Sequence, residues 1–389
     1  ITNYIYEENK MIAIINARIF TMAEKLIEKG SILIKDNKII EISEKIELTP
    51  EIEIYDAEGK TVLPGLIDAH THLGIDEEGL GWEGEDFNEI DNPITPHLRA
   101  VDAVNPFDKG IISARENGVT TVMTSPGSAN ILGGEAAAIK TSGSIVDKMI
   151  VKAPVGIKAA FGENPKKVYS SRKKSPITRM GIAAMLREAL METEDYLAEK
   201  NENKSTFKRN LKNESLLKVL EKEIPLKAHV HRADDIMTAI RIAKEFDLNL
   251  TLEHCTEGHL VADEIAELGF SAAVGPSLTG KVKVELNEMD YKTAGILAQA
   301  GVKIALVSDH PVTPVKNLRL YAALAVKSGL DEYEAIKAIT INPAEMMNIE
   351  DKVGSIEIGK DADLIILDGD PLAFDTNLEK VMINGQFIN

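Results

Sequence analysis

Between residues 62 and 307, short apolar runs alternate with amphipathic stretches, and this alternation constrains the fold more than any other feature. Runs at 119–124, 155–161, 226–230, 250–253, 270–274 and 303–307 have the length of buried strands, and helical patterns at 233–245, 259–268 and 291–300 lie among them. Repeated strand-then-helix units build a parallel sheet covered by helices. Together with the run at 62–72 (Val-Leu-Pro-Gly-Leu-Ile-Asp-Ala-His-Thr-His), their number suits an α/β fold of the (β/α)8 TIM-barrel type. A doubly wound sheet would want a glycine-rich phosphate loop after its first strand, and the sequence has none.

Both ends read differently. Residues 12–15, 31–35, 38–43 and 53–56 are short strand patterns, and Lys35-Asp36-Asn37-Lys38 is a hairpin signal. Residues 362–367 and 381–387 behave alike. The expected organisation is therefore a small β-sandwich built from both termini (11–63 and 353–389) around a barrel at 64–352. Met11 reads as close to the functional start, with the first ten residues as an extension. The charged run at 199–204, after a helical pattern at 185–197, reads as a solvated helix end or flexible loop without chemistry.

Net charge is −18, from 44 basic and 62 acidic side chains, which argues against nucleic acid or an anionic membrane as partner. A small-molecule substrate is the expected partner, with a homo-oligomer as a further expectation. The lone cysteine, Cys255, excludes a disulfide framework and fits a cytoplasmic protein. Beside His254 it reads as a packed residue, because neighbouring strand residues point to opposite faces.

The strand ends carry the chemistry. His70 and His72, two apart on a strand, share a face, so both imidazoles reach one point. A second His-x-His, His229 and His231, ends the run at 226–230. His254 ends the next, and Ser308-Asp309-His310 follows the last. In a barrel the C-terminal ends of the parallel strands face one mouth, and imidazole with carboxylate is a transition-metal donor set. Residues 156–165 add a residue able to bridge two metals: Glu163, at the turn out of the strand, is preferred, and Lys158, carbamylated, is the alternative.

The segment 63–72 and the later Gly354-Ser355-Ile356-Glu357-Ile358-Gly359-Lys360-Asp361-Ala362-Asp363-Leu364 together resemble the amidohydrolase superfamily, in its imidazolonepropionase- and dihydroorotase-like branch. The resemblance covers nearly the whole chain. It implies a (β/α)8 barrel, metal ligands at His70, His72, His229, His254 and Asp309, and a lysine or glutamate bridge when two metals bind. Arg232 stands where adenosine- and cytosine-type deaminases of that superfamily carry glutamate, which argues against deamination.

The expected activity is hydrolysis of a C–N bond in an amide or cyclic amide by metal-activated hydroxide. One or two divalent ions are expected, zinc first and iron or manganese next. Asp309 is the candidate proton carrier, and His231 or His254 would polarise the carbonyl. Trp82, His97 and Arg99 are the candidate substrate contacts. The basic stretch at 166–174 is a candidate attractor of an anionic substrate, and His310 a candidate residue just outside the ligands. The alternatives are a deaminase on the same barrel and an inactive barrel serving as scaffold or sensor.

Overall fold

Short strands bound by turn residues become two sheets in a computed structural model of the chain, which describes residues 10–23, 26–202 and 207–388. From the N-terminus come β1 (Met11–Phe20), β2 (Leu26–Lys35), β3 (Lys38–Ser43), β4 (Ile52–Asp56) and β5 (Thr61–Pro64). The barrel wall is β6 (Leu66–Thr71), β7 (Val119–Thr124), β8 (Leu132–Lys140), β9 (Ile150–Ala160), β10 (Leu226–Val230), β11 (Leu250–His254), β12 (Ser271–Val274) and β13 (Ile304–Leu306). The chain then returns with β14 (Leu364–Leu367), β15 (Leu378–Ile383) and β16 (Gln386–Ile388). The proposed N-terminal extension lies outside the described residues except for Lys10, and so does the end of the charged run, at 203–204.

The terminal strands pair in the order β16-β15-β14-β5-β1-β2-β3, with β4 also on β1. Strand β1 makes the two-leaved shape possible. Its first half pairs with β4 and its second half with β5, both in parallel. Ile12, Ile14, Ile32, Ile34, Val62, Leu364, Ile366 and Met382 fill the space between the leaves. The hairpin read at 35–38 is present, with Lys35 opposite Lys38 and Asp36 at φ 55°.

The barrel strands follow one another in chain order from β6 to β13. The wall closes near its mouth, where the His72 N–H donates to the His310 carbonyl (2.9 Å) and the Asp309 N–H to that of His70 (3.0 Å). Lower down, the Ile339 carbonyl accepts from Ile67 and the Ala338 carbonyl from Leu306, so this helical connection fills the seam. Asp68 braces it. Its carboxylate accepts the N–H groups of His70 and Ser308, both at 3.0 Å, and burial pushes its pKa up to about 6.

One strand departs from the parallel pattern. Strand β8 runs antiparallel to both neighbours. Its sequence, Leu-Gly-Gly-Glu-Ala-Ala-Ala-Ile-Lys, is poor in the β-branched residues that announce strands, yet every residue is buried. Small residues suit the site because another segment is stitched along it: Ile94 bridges Leu132 and Arg99 bridges Glu135. Among the described residues, no helix is long and apolar enough to cross a membrane.

Candidate metal centre

Local geometry aims the histidines. His70 and His72 leave β6 on one face, as their spacing requires. The Nδ1 of His72 bonds the Ser125 carbonyl (2.6 Å), and the Nδ1 of His254 bonds that of Gly275 (2.8 Å). A carbonyl only accepts, so each Nδ1 carries the proton and each Nε2 keeps its lone pair for the barrel axis. The Nδ1 of His70 is held the same way by Glu253 Oε2 at 2.6 Å.

Two donor groups result, each with its ligand atoms within 4.8 Å of one another: His70, His72 and Asp309, and His229, His231 and His254. Asp309 Oδ1 lies 3.4 Å from His70 Nε2 and 3.3 Å from His72 Nε2. Burial opposes charge on the Asp309 carboxylate, but His254, His70 and His72 outweigh it and hold the pKa well below the ordinary value. Burial first, then the neighbouring charges, keeps His229 and His254 well below the ordinary imidazole range, and burial brings His231 to about 4. These are neutral imidazoles, the form that binds a cation. His254 Nε2 is buried with no hydrogen-bond partner, as expected of a donor whose acceptor is an ion.

Lys158, not Glu163, joins this cluster, reversing the preference drawn from the sequence. The fully buried Lys158 extends Nζ to 3.0 Å from His70 Nε2, and burial lowers its pKa to about 8. Glu163 opens the helix Glu163–Ser171, its backbone N–H donating to Glu285, and its carboxylate is in neither donor group. The barrel wall sets this outcome: Lys158 lies on the inward-facing side of β9, while Glu163 follows the turn out of the strand and opens the next helix.

Glu253 and His254 are neighbours, yet both touch His70, with the His70 and His254 rings 4.7 Å apart. Strand alternation forbids this in extended backbone, but His254 adopts φ 71° and turns its side chain back. Asp309, at φ 53°, is re-aimed in the same way. Cys255 is fully buried, and burial pushes its thiol up to about 12, as suits a packed residue.

The cavity over the two groups is about 350 Å³ and is lined by His70, His72, Lys158, His229, His231 and Asp309. Its upper wall includes Phe87, Asn164, Lys167 and Lys283. None of the three expected substrate contacts belongs to it. Trp82 is 87% exposed on the turn Gly81–Gly84, and the loop contributes Phe87 instead, 5.2 Å from the His72 ring. His97 and Arg99 lie in the segment stitched along β8, with Arg99 paired to Asp102 in solvent. His310 packs beside Gly110 and accepts the Val315 N–H, away from the cavity. Residues missed from sequence are Glu253 and Lys227, which meet at 3.5 Å beneath His70, and Asn164 and Glu285; no motif marks any of them.

Gly275 tests the support of His254. Its φ is 138°, and a Cβ there would overlap the Val307 carbonyl oxygen. Gly275→Ala is expected to destabilise the fold by about 2 kcal/mol or more and to weaken metal binding about tenfold, by moving the carbonyl that orients His254. Thermal melting and metal titration check this; unchanged metal affinity would remove the positioning role.

The sequence profile of the Amidohydrolase family matches residues 61–388. The amidohydrolase tasK of Hapsidospora irregularis is 29% identical, the match covering 94% of this chain and 39% of that protein; the chain thus spans well under half the length of that relative. An imidazolonepropionase of Fusobacterium nucleatum is 27% identical, with 90% of this chain and 88% of that protein covered. The crystal structure of an amidohydrolase from Thermotoga maritima superposes with a TM-score of 0.93 at 43% identity, over 97% of this chain and 99% of that one.

Proposed function

The chain belongs to the amidohydrolase family, and from that premise we propose that it is a metal-dependent hydrolase of the C–N bond in an amide or cyclic amide. The observation carrying this reading is the pair of donor groups at one barrel mouth, with Lys158 beside His70. His70, His72 and Asp309 would hold one divalent ion, and His229, His231 and His254 a second. A neutral Lys158 amine would add CO2, its nitrogen forming the N–C bond and releasing one proton to solvent, to give a carbamate that could supply the bridging carboxylate-type donor. Bound ions supply Lewis-acid charge for a carbonyl oxygen and bring the pKa of water toward about 7.

The chain's own residues handle the protons. The Asp309 carboxylate, held ionised, accepts a proton from the attacking water as the C–O bond forms, and returns it to the nitrogen as the C–N bond breaks. His254 does not polarise the carbonyl as the sequence reading allowed. With Nδ1–H committed to Gly275, its neutral Nε2 has no proton to give, so it serves as a donor to an ion. His231 is counted with the donors for the same inward-facing geometry.

The substrate reading rests on the cavity wall. Lys167 and Lys283 stand among apolar groups, including Phe87, Val282, Leu286 and Val312, in a chain of net charge −18. This pairing suits an amide with an apolar body and a carboxylate. Lys283→Met is expected to raise KM for a carboxylated substrate about tenfold while changing kcat little, and to leave KM for the matching methyl ester almost unaltered. An equal change for both substrates would remove the carboxylate contact.

The test of the reaction class is an assay of zinc-reconstituted protein on paired cyclic and linear amides, with and without a carboxylate. Turnover that disappears on chelation and returns with zinc is the expected result. A metal-replete protein inert on the whole panel, or turnover indifferent to chelation, overturns the reading.

A further inference from the structure

One buried carboxylate at this mouth is unused by the site described so far. Glu285 lies on the turn Val284–Leu286 in the segment after β12 and is 2% exposed. Its Oε2 accepts the Glu163 N–H at 3.1 Å. A Cβ on Gly162 would come 3.0 Å from the same oxygen, so glycine there leaves room for the carboxylate.

The other oxygen, Oε1, has no hydrogen-bond partner. It lies 3.7 Å from His231 Nε2, 3.9 Å from His229 Nε2 and 3.8 Å from Lys283 Nζ. All three separations are too long for hydrogen bonds. Lys283 spends an N–H on Asn164 Oδ1 at 2.9 Å. A buried carboxylate oxygen without a hydrogen-bond donor is costly, and the one cation near it, the Lys283 ammonium at 3.8 Å, stands too far off to supply that bond. Ligands around a tetrahedral ion with bonds of about 2.0–2.1 Å stand about 3.3 Å apart, so the gap is close to that of an ion's coordination shell.

We propose that Glu285 Oε1 is a carboxylate donor to the cation held by His229 and His231, making this group a histidine–carboxylate site instead of an all-imidazole one. The inference rests on the reading of the mouth as a cation site and adds to it a ligand from the β12 loop. It also ties that loop, and with it Lys283, to metal loading. An alternative role, a carboxylate held only by Lys283 and the Glu163 N–H, predicts metal binding indifferent to Glu285.

Zinc-loaded wild-type, Glu285→Gln and His72→Ala enzymes, dialysed against metal-free buffer, are compared by metal content per chain, and their Co²⁺ forms by visible absorption. The wild type is expected to hold two ions. Glu285→Gln is expected to weaken one of them by about tenfold or more and to change its Co²⁺ spectrum, while His72→Ala weakens the other. Two ions in the wild type with unchanged affinity and spectrum in Glu285→Gln overturn this inference alone; a wild type that holds no ion overturns the proposed function with it. A single wild-type ion insensitive to Glu285→Gln also overturns it. Should Glu285→Gln fail to fold, anomalous diffraction from zinc-loaded wild-type crystals decides: a peak about 2.0–2.2 Å from Oε1 supports the assignment, and one beyond about 3 Å overturns it.

Discussion

Asp309→Asn is expected to lower kcat by about 10²- to 10⁴-fold while the protein keeps most of its metal. The asymmetry follows from what the amide retains and loses. Asparagine keeps an oxygen where Oδ1 meets His70 and His72, at 3.4 and 3.3 Å, so that donor group is only weakened. It cannot take up a proton at neutral pH, and proton transfer between water and the leaving nitrogen is the step assigned to this carboxylate. Steady-state kinetics and metal analysis on the same preparation check the result. Parallel loss of turnover and metal would reduce Asp309 to a ligand.

Lys140→Met is expected to cost about 3–5 kcal/mol of stability at pH 7, although the residue is far from the chemistry. Lys140 ends β8, and its ammonium crosses to the terminal sheet, meeting Asp361 Oδ2 at 2.8 Å, Asp363 Oδ2 at 2.8 Å and Asn384 Oδ1 at 2.7 Å. All three ionic side chains are largely buried, so removing the cation leaves Asp363 without its ion-pair partner and Asp361 with Lys38 alone. Burial opposes the charge of Asp361, but Lys140 and Lys38 prevail and lower its pKa; its contribution is present above the ordinary Asp value near 4 and is lost in acid. At Asp363 burial wins over Lys140 and raises the pKa, so its protonation favours the fold and its contribution has the opposite sign. Without Lys140 both carboxylates shift upward. The deficit of the variant should therefore be largest at pH 7 and shrink toward pH 4–5, as the two carboxylates, Asp363 above all, take up protons. Urea unfolding across that range checks this, and a deficit independent of pH would mean that lost packing, not charge, is responsible.

Much of the barrel was legible because its signal is local. The apolar runs at 119–124 and 226–230 became β7 and β10, and the helical pattern at 233–245 became the helix Ala233–Glu245. Strand β8 was not legible, since a strand buried on all sides by close neighbours needs small residues, and Gly and Ala announce no strand. Ligand-type residues at strand ends were readable for the same reason as the strands. His70 and His72 share a face by spacing alone, and His229 and His231 repeat it.

Residues whose role depends on a partner elsewhere in the chain were not readable. The choice between Lys158 and Glu163 turned on whether each lies before or after the chain leaves the wall, a distance of a few residues that periodicity does not resolve. Trp82, His97 and Arg99 have the chemistry of substrate contacts but were carried outward, one on an exposed turn and two along β8. Glu253 beside His70, Glu285 beside His231 and Lys140 beside Asp363 are separated by more than fifty residues in sequence and by a few ångströms in space.

The sequence by itself determined the barrel, the terminal β-structure and a donor set at one mouth, because side-chain period and strand-end position are properties of contiguous residues. Tertiary structure alone decided which lysine or carboxylate enters that mouth, which tautomer His72 and His254 hold and which loop covers it. Those outcomes depend on burial and on hydrogen-bond partners brought together only when the wall closes.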